Sequence, residues 1–61
     1  MLIMINNNGE TFVINTNNVI KIVDTKTKTY ITMSNGEIIE TDTKAYAVLE
    51  RERQAYVRVN Q

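Results

Sequence analysis

Both glycines of this chain follow an asparagine, at Asn8-Gly9 and Asn35-Gly36, and proline is absent. An Asn-Gly pair between apolar runs is the strongest short-range hairpin signal. A type I′ turn needs positive φ at both central residues, and these two residue types reach it at least cost. Asn8-Gly9 joins Leu2–Asn6 to Thr11–Asn15, and Asn35-Gly36 joins Thr29–Ser34 to Glu37–Thr41. Between the hairpins lies Val19–Asp24, β-branched at 19, 20, 22 and 23, and Thr25-Lys26-Thr27-Lys28 reads as the turn after it. The expected fold is therefore mainly β (α+β), a small antiparallel five-stranded meander over the first 41 residues.

Alternation assigns the faces. Phe12 with Ile14, Ile20 with Ile22, and Ile31 with Met33 are expected to face the core. Met1-Leu2-Ile3-Met4-Ile5 is apolar on both faces, which is the pattern of a strand covered on two sides. A helix is expected to cover one side and a second subunit the other.

Asp42 or Thr43 is a fitting helix N-cap, since either side chain accepts from a free backbone N–H. Lys44 to Gln54 follows, rich in helix formers, with Ala45, Val48 and Leu49 on one face. The next position on that face is Glu52, so the helix is expected to pack through its first half only. Glu50 and Arg53 are spaced for a weak i,i+3 pair. Ala55-Tyr56-Val57-Arg58-Val59-Asn60 then alternates, and is expected to form a terminal strand that pairs with an edge of its own sheet or of a neighbouring subunit. The organisation read from sequence is one small domain over 1–61, with meander at 1–42, helix at 43–54 and terminal strand at 55–60.

A chain of 61 residues buries a modest share of its surface. Small domains compensate with disulfides, metals or association. With no Cys and no His, disulfides, thiolate metal sites and the usual zinc sites are ruled out, and no cofactor is expected. Association remains, so a homodimer or higher oligomer is expected. The apolar start is too short for a signal sequence or a membrane span, so no membrane insertion and a cytoplasmic location are expected. Abundant Asn, Ile, Lys and Thr hint at an AT-rich genome, such as that of a phage or a low-GC bacterium.

The same absences argue against catalysis. No His is present for base work at neutral pH and no Cys for nucleophilic work. Glu40 and Asp42 share a strand face, a pattern better explained by a charged edge that resists aggregation than by paired catalytic acids. Ser34 stands at a turn without a histidine partner, and neither glycine belongs to a phosphate-binding loop. Net charge is zero, so the broad basic field of a nucleic-acid binder is missing. Charge is nevertheless uneven: Arg51, Arg53 and Arg58 all lie near the C-terminus, with Tyr46 and Tyr56 among them. Guanidinium groups clamp phosphates and tyrosines stack on bases, so these five residues are the candidate ligand-binding set. The bland alternative is a solvated charged helix face.

The residues Asn8-Gly9, Phe12, Asn15, Val19, Ile22, Thr25, Ile31-Thr32 and Asn35-Gly36 resemble the FlbD/SwrD-like family of small flagellar accessory proteins, over roughly 8–36. The resemblance implies a role supporting flagellar motor output, with no catalytic site. Residues 55–61 differ from that family's basic helical tail. Met1-Leu2-Ile3-Met4, Gly9-Glu10, Phe12 and Ile14 are also similar to the start of CsrA-type RNA-binding regulators, but Asn6 and Asn7 stand where those have basic residues. In size and composition the chain is similar, too, to small phage proteins that sequester nucleotide immune signals between subunits. The function expected from sequence is therefore that of a non-enzymatic, oligomeric binding protein. Its expected partner is itself plus a small anionic nucleotide-like ligand; a flagellar protein–protein adaptor is the first alternative, and a nucleic-acid-binding regulator the second.

Overall fold

The structure, a computed structural model, describes residues 1–59, with side chains through Gln54. Five strands form two antiparallel sheets, followed by one helix. Strands β1 (Leu2–Asn7) and β2 (Glu10–Asn15) make a hairpin, and a 3-10 turn over Thr16–Asn18 leads on. Strands β3 (Val19–Asp24), β4 (Thr29–Met33) and β5 (Ile38–Thr41) make the second sheet, in that order. Helix α1 (Ala45–Val59) closes the described chain. The mainly β character read from the sequence is thus correct, but the single meander divides into two sheets where the 3-10 turn intervenes.

The two Asn-Gly sites fold differently. Asn8 has φ 50° and Gly9 φ 84°, both in the left-handed region that a type I′ hairpin demands. At the other site only Gly36 is left-handed, with φ 90°. There Gly36 N donates to the Met33 carbonyl at 2.9 Å and Met33 N to the Glu37 carbonyl at 2.8 Å. Ser34, Asn35 and Gly36 thus form a three-residue loop, a type I turn closed by a glycine bulge.

The core lies between the two sheets and the start of α1. Ile3, Ile5 and Ile14 from the hairpin meet Ile31 and Met33 from β4 and Val48 from α1, with Val19, Ile22 and Ile39 packed around them. Ile20 is exposed, against the alternation. The β3–β4 register shifts between Val19 and Lys21, which turns Val19 inward and Ile20 out. Phe12 follows the expected face but remains half-exposed at the rim. Leu2 and Met4 are 67% and 63% exposed, so within the single chain β1 is covered on one side only.

The expected terminal strand is not formed. Residues 55–59 continue α1, and Asn60 lies outside the described residues. The alternation of Tyr56 to Val59 is too short to override the run of helix formers before it, and a short apolar run does not by itself distinguish strand from helix. The helix face is also narrower than expected: Val48 is buried and Leu49 is 61% exposed.

Candidate functional site

The start of α1 is held by residues distant in sequence. Asp24, at the end of β3, accepts from Ala45 N at 3.0 Å and from the Thr29 hydroxyl at 2.6 Å. It supplies from another strand the acceptor that Asp42 or Thr43 was expected to supply locally. Asp42 instead turns to the first hairpin. Its carboxylate accepts from Asn8 N at 2.8 Å and from Lys28 Nζ at 2.6 Å. Lys28 Nζ also donates to the side-chain carbonyls of Asn7 at 2.7 Å and Asn8 at 3.1 Å, so one ammonium ties the β3–β4 turn to the tip of the β1–β2 hairpin.

Both carboxylates are held below the usual Asp range. For Asp24 the main cause is the Thr29 hydroxyl, followed by the Ala45 N–H. For Asp42 it is the Lys28 hydrogen bond, followed by the Asn8 N–H. Because folding depresses these pKa values, their contribution to stability is complete above the unfolded-state value of about 3.9 and is lost as pH falls through the folded values. The urea midpoint is expected to be nearly flat from about pH 7 to 5 and to drop below about pH 4. The Asp24→Asn, Asp42→Asn double variant should start lower at neutral pH and lose less on acidification. An equal acid loss in wild type and variant would refute this assignment.

The same connections set α1 beside the free edge of β1. Asn6 is the pivot: its carbonyl accepts from Asp42 N at 2.7 Å and from the Thr41 hydroxyl at 2.5 Å, and its N–H donates to Thr43 Oγ1 at 3.1 Å. Further along the edge, the Arg51 guanidinium donates to the Met4 carbonyl at 2.5 Å. Strand and helix leave a groove of about 420 Å³ between them. Leu2 and Met4 supply its apolar surface, and Asn6, Thr11, Arg51 and Gln54 its polar rim.

Of the five residues singled out from the sequence, Arg51 lines this groove; Tyr46 and Arg53 do not. Arg53 lies 3.8 Å from Glu50, the expected i,i+3 pair, with both side chains largely in water. Tyr46 is 75% exposed. The side chains of Tyr56 and Arg58 lie outside the described residues. Sequence reasoning missed Leu2, Met4, Asn6 and Thr11 as groove residues. The apolar-on-both-faces pattern of Met1 to Ile5 was the signal that pointed there. Among the described residues, no group of three or more acidic side chains is placed to hold a metal ion, and no helix is long and apolar enough to cross a membrane.

Comparison with known proteins finds no matching family model, curated protein or solved structure.

Proposed function

We propose that this chain is a non-catalytic binding module that docks a segment of a partner protein in the groove between β1 and α1. The observation that carries the reading is the pairing of exposed apolar Leu2 and Met4 with the Arg51 guanidinium on one concave surface. Apolar contact with a polar, cationic rim suits a peptide bearing an apolar side chain next to an acidic one. The resemblance to flagellar accessory proteins favours an adaptor of this kind, acting on motor output. The open half of the β1 edge suits an extended segment, which would take over the Met4 carbonyl from Arg51.

A second reading is capture of a small anionic, nucleotide-like ligand, with Arg51 meeting a phosphate and association bringing Arg53, Arg58, Tyr46 and Tyr56 of neighbouring copies into reach. What favours it is the guanidinium at the groove rim. What weighs against it is that Arg51 is the one cation lining the groove among the described residues and is already bonded to Met4.

Photocrosslinking in cells separates the two. A crosslinker at position 4 is expected to trap one defined protein, a crosslinker at exposed Ile38 to trap none, and Leu2→Glu with Met4→Glu to remove the partner. Equal trapping from positions 4 and 38 would defeat the adaptor reading. A melting shift with cyclic or ADP-ribose-type nucleotides, lost in Arg51→Ala, would decide for the ligand.

A further inference from the structure

The sheet edges of this protein are managed differently, and among the described residues β2 alone carries no device that discourages strand addition. The free edge of β1 is covered along its second half, where Arg51 meets the Met4 carbonyl and Asp42 and Thr43 meet Asn6. β5 is short and its end is tied to Asn6 by Thr41. β3 carries the register shift near Ile20 and the exposed charges Lys21 and Asp24, devices that discourage strand addition. β2 has none of them. Its sequence, Glu-Thr-Phe-Val-Ile-Asn, holds no Lys, no Pro and no bulge, and its one charge lies at the end.

The direction of its backbone groups follows from its partner. Met4 and Asn6 bond away from β2, to Arg51 and to the β5–α1 connection. Antiparallel pairs alternate between bonded and non-bonded, so residues opposite Met4 and Asn6 also point their N–H and C=O outward. Those residues are Val13 and Thr11. No strand pairs with that edge among the described residues. A groove of about 320 Å³ is lined by Val13, Ile14 and Asn15 of β2 together with Ser34, Asn35 and Glu37 of the second hairpin.

We propose that β2 pairs with β2 of a second copy, antiparallel about a two-fold axis through Val13, joining the two hairpins into one four-stranded sheet. The edge is self-complementary in this register. Val13 meets Val13 of the second copy and exchanges two backbone hydrogen bonds with it, and Thr11 falls opposite Asn15. Phe12 meets Ile14 on the inner face, an aromatic–β-branched pair that covers the half-exposed ring. Glu10 falls opposite Thr16, so no like charges face each other. On the outer face Val13, Met4 and Leu2 of both copies, each more than half exposed in the single chain, become one continuous apolar surface. The interface is isologous and closes on itself, so pairing stops at two copies. Its backbone contacts lie on β2 and do not require the β1–α1 groove to be occupied, and it replaces the tail strand as the edge through which this small chain associates.

Sedimentation of the full chain at high micromolar concentration is expected to show a dimer. Val13→Lys, which places two lysines face to face on the axis, is expected to sediment as a monomer with an unchanged circular dichroism spectrum, because the Val13 side chain points to water in the single chain. The chain has no cysteine, so a single introduced one reports on one contact. Val13→Cys is expected to form an intermolecular disulfide under mild oxidation much faster than Ile38→Cys, which is equally exposed at 64% against 61%. A monomeric wild type, a dimeric Val13→Lys, or equal crosslinking of the two cysteine variants would each overturn the proposal.

Discussion

Ile31→Ala is expected to leave little of the protein folded. Ile31 is fully buried, pairs with Ile22 on one side and Ile39 on the other, and belongs to the cluster that joins both sheets to α1. Truncating a buried isoleucine to alanine costs about 2–5 kcal/mol. A chain of 61 residues has a total stability of about 3–9 kcal/mol on the usual per-residue scale. The loss is therefore comparable to everything that holds the fold together. Urea titration should show the midpoint reduced by half or more, with the slope unchanged if the variant still unfolds in one step. Ile31→Val, which removes a single methyl group, should lose only about 0.5–1.5 kcal/mol. A loss below about 1 kcal/mol for the alanine variant would mean that the two sheets do not share one core.

The strands and the first hairpin were legible because their determinants are local. Asn8-Gly9 between alternating apolar runs dictates both the turn and the register, and the pairing from Leu2↔Asn15 to Asn7↔Glu10 is the one such a turn enforces. Asn35-Gly36 carries the same dipeptide, yet the loop has three residues. The dipeptide signals a left-handed glycine, not the number of residues around it. The break into two sheets and the outward Ile20 were not legible, because a register shift is decided by which residues find the core once both sheets are present.

The end of the chain was misread for a related reason. Tyr56 to Val59 alternates, but strand formation needs an edge to pair with, whereas helix extension needs only the preceding turn. The helix had already begun, so it continued to Val59. Its N-terminus was misread because the acceptor for Ala45 comes from Asp24, a position no local capping rule would select. The candidate site was legible only in part. The arginine cluster near the C-terminus includes Arg51, but the surface Arg51 lines is completed by β1, and the contact between Arg51 and Met4 exists only through the tertiary fold.

Thr41→Val is expected to loosen the joint that sets this groove. The Thr41 side chain is fully buried; its hydroxyl donates to the Asn6 carbonyl and accepts from Thr43 N at 3.0 Å. Valine keeps the shape and removes both bonds. The Asn6 carbonyl retains the Asp42 N–H, but the Thr43 N–H is left buried without that acceptor. An orphaned buried donor costs about 1–3 kcal/mol, more than the hydrogen bond itself contributes in net terms. Thr41→Ser makes the opposite change, keeping the hydroxyl and losing a methyl group worth about 0.8 kcal/mol. The valine variant is therefore expected to be the less stable of the two, although it is the more apolar residue at a buried site, and amide exchange at Thr43 should accelerate in it alone. A valine variant as stable as wild type, with serine the less stable of the two, would show that the methyl contact matters and the hydroxyl does not. Asn6 would then be positioned by the Asp42 N–H alone, and the placement of β1 beside α1 would owe nothing to Thr41.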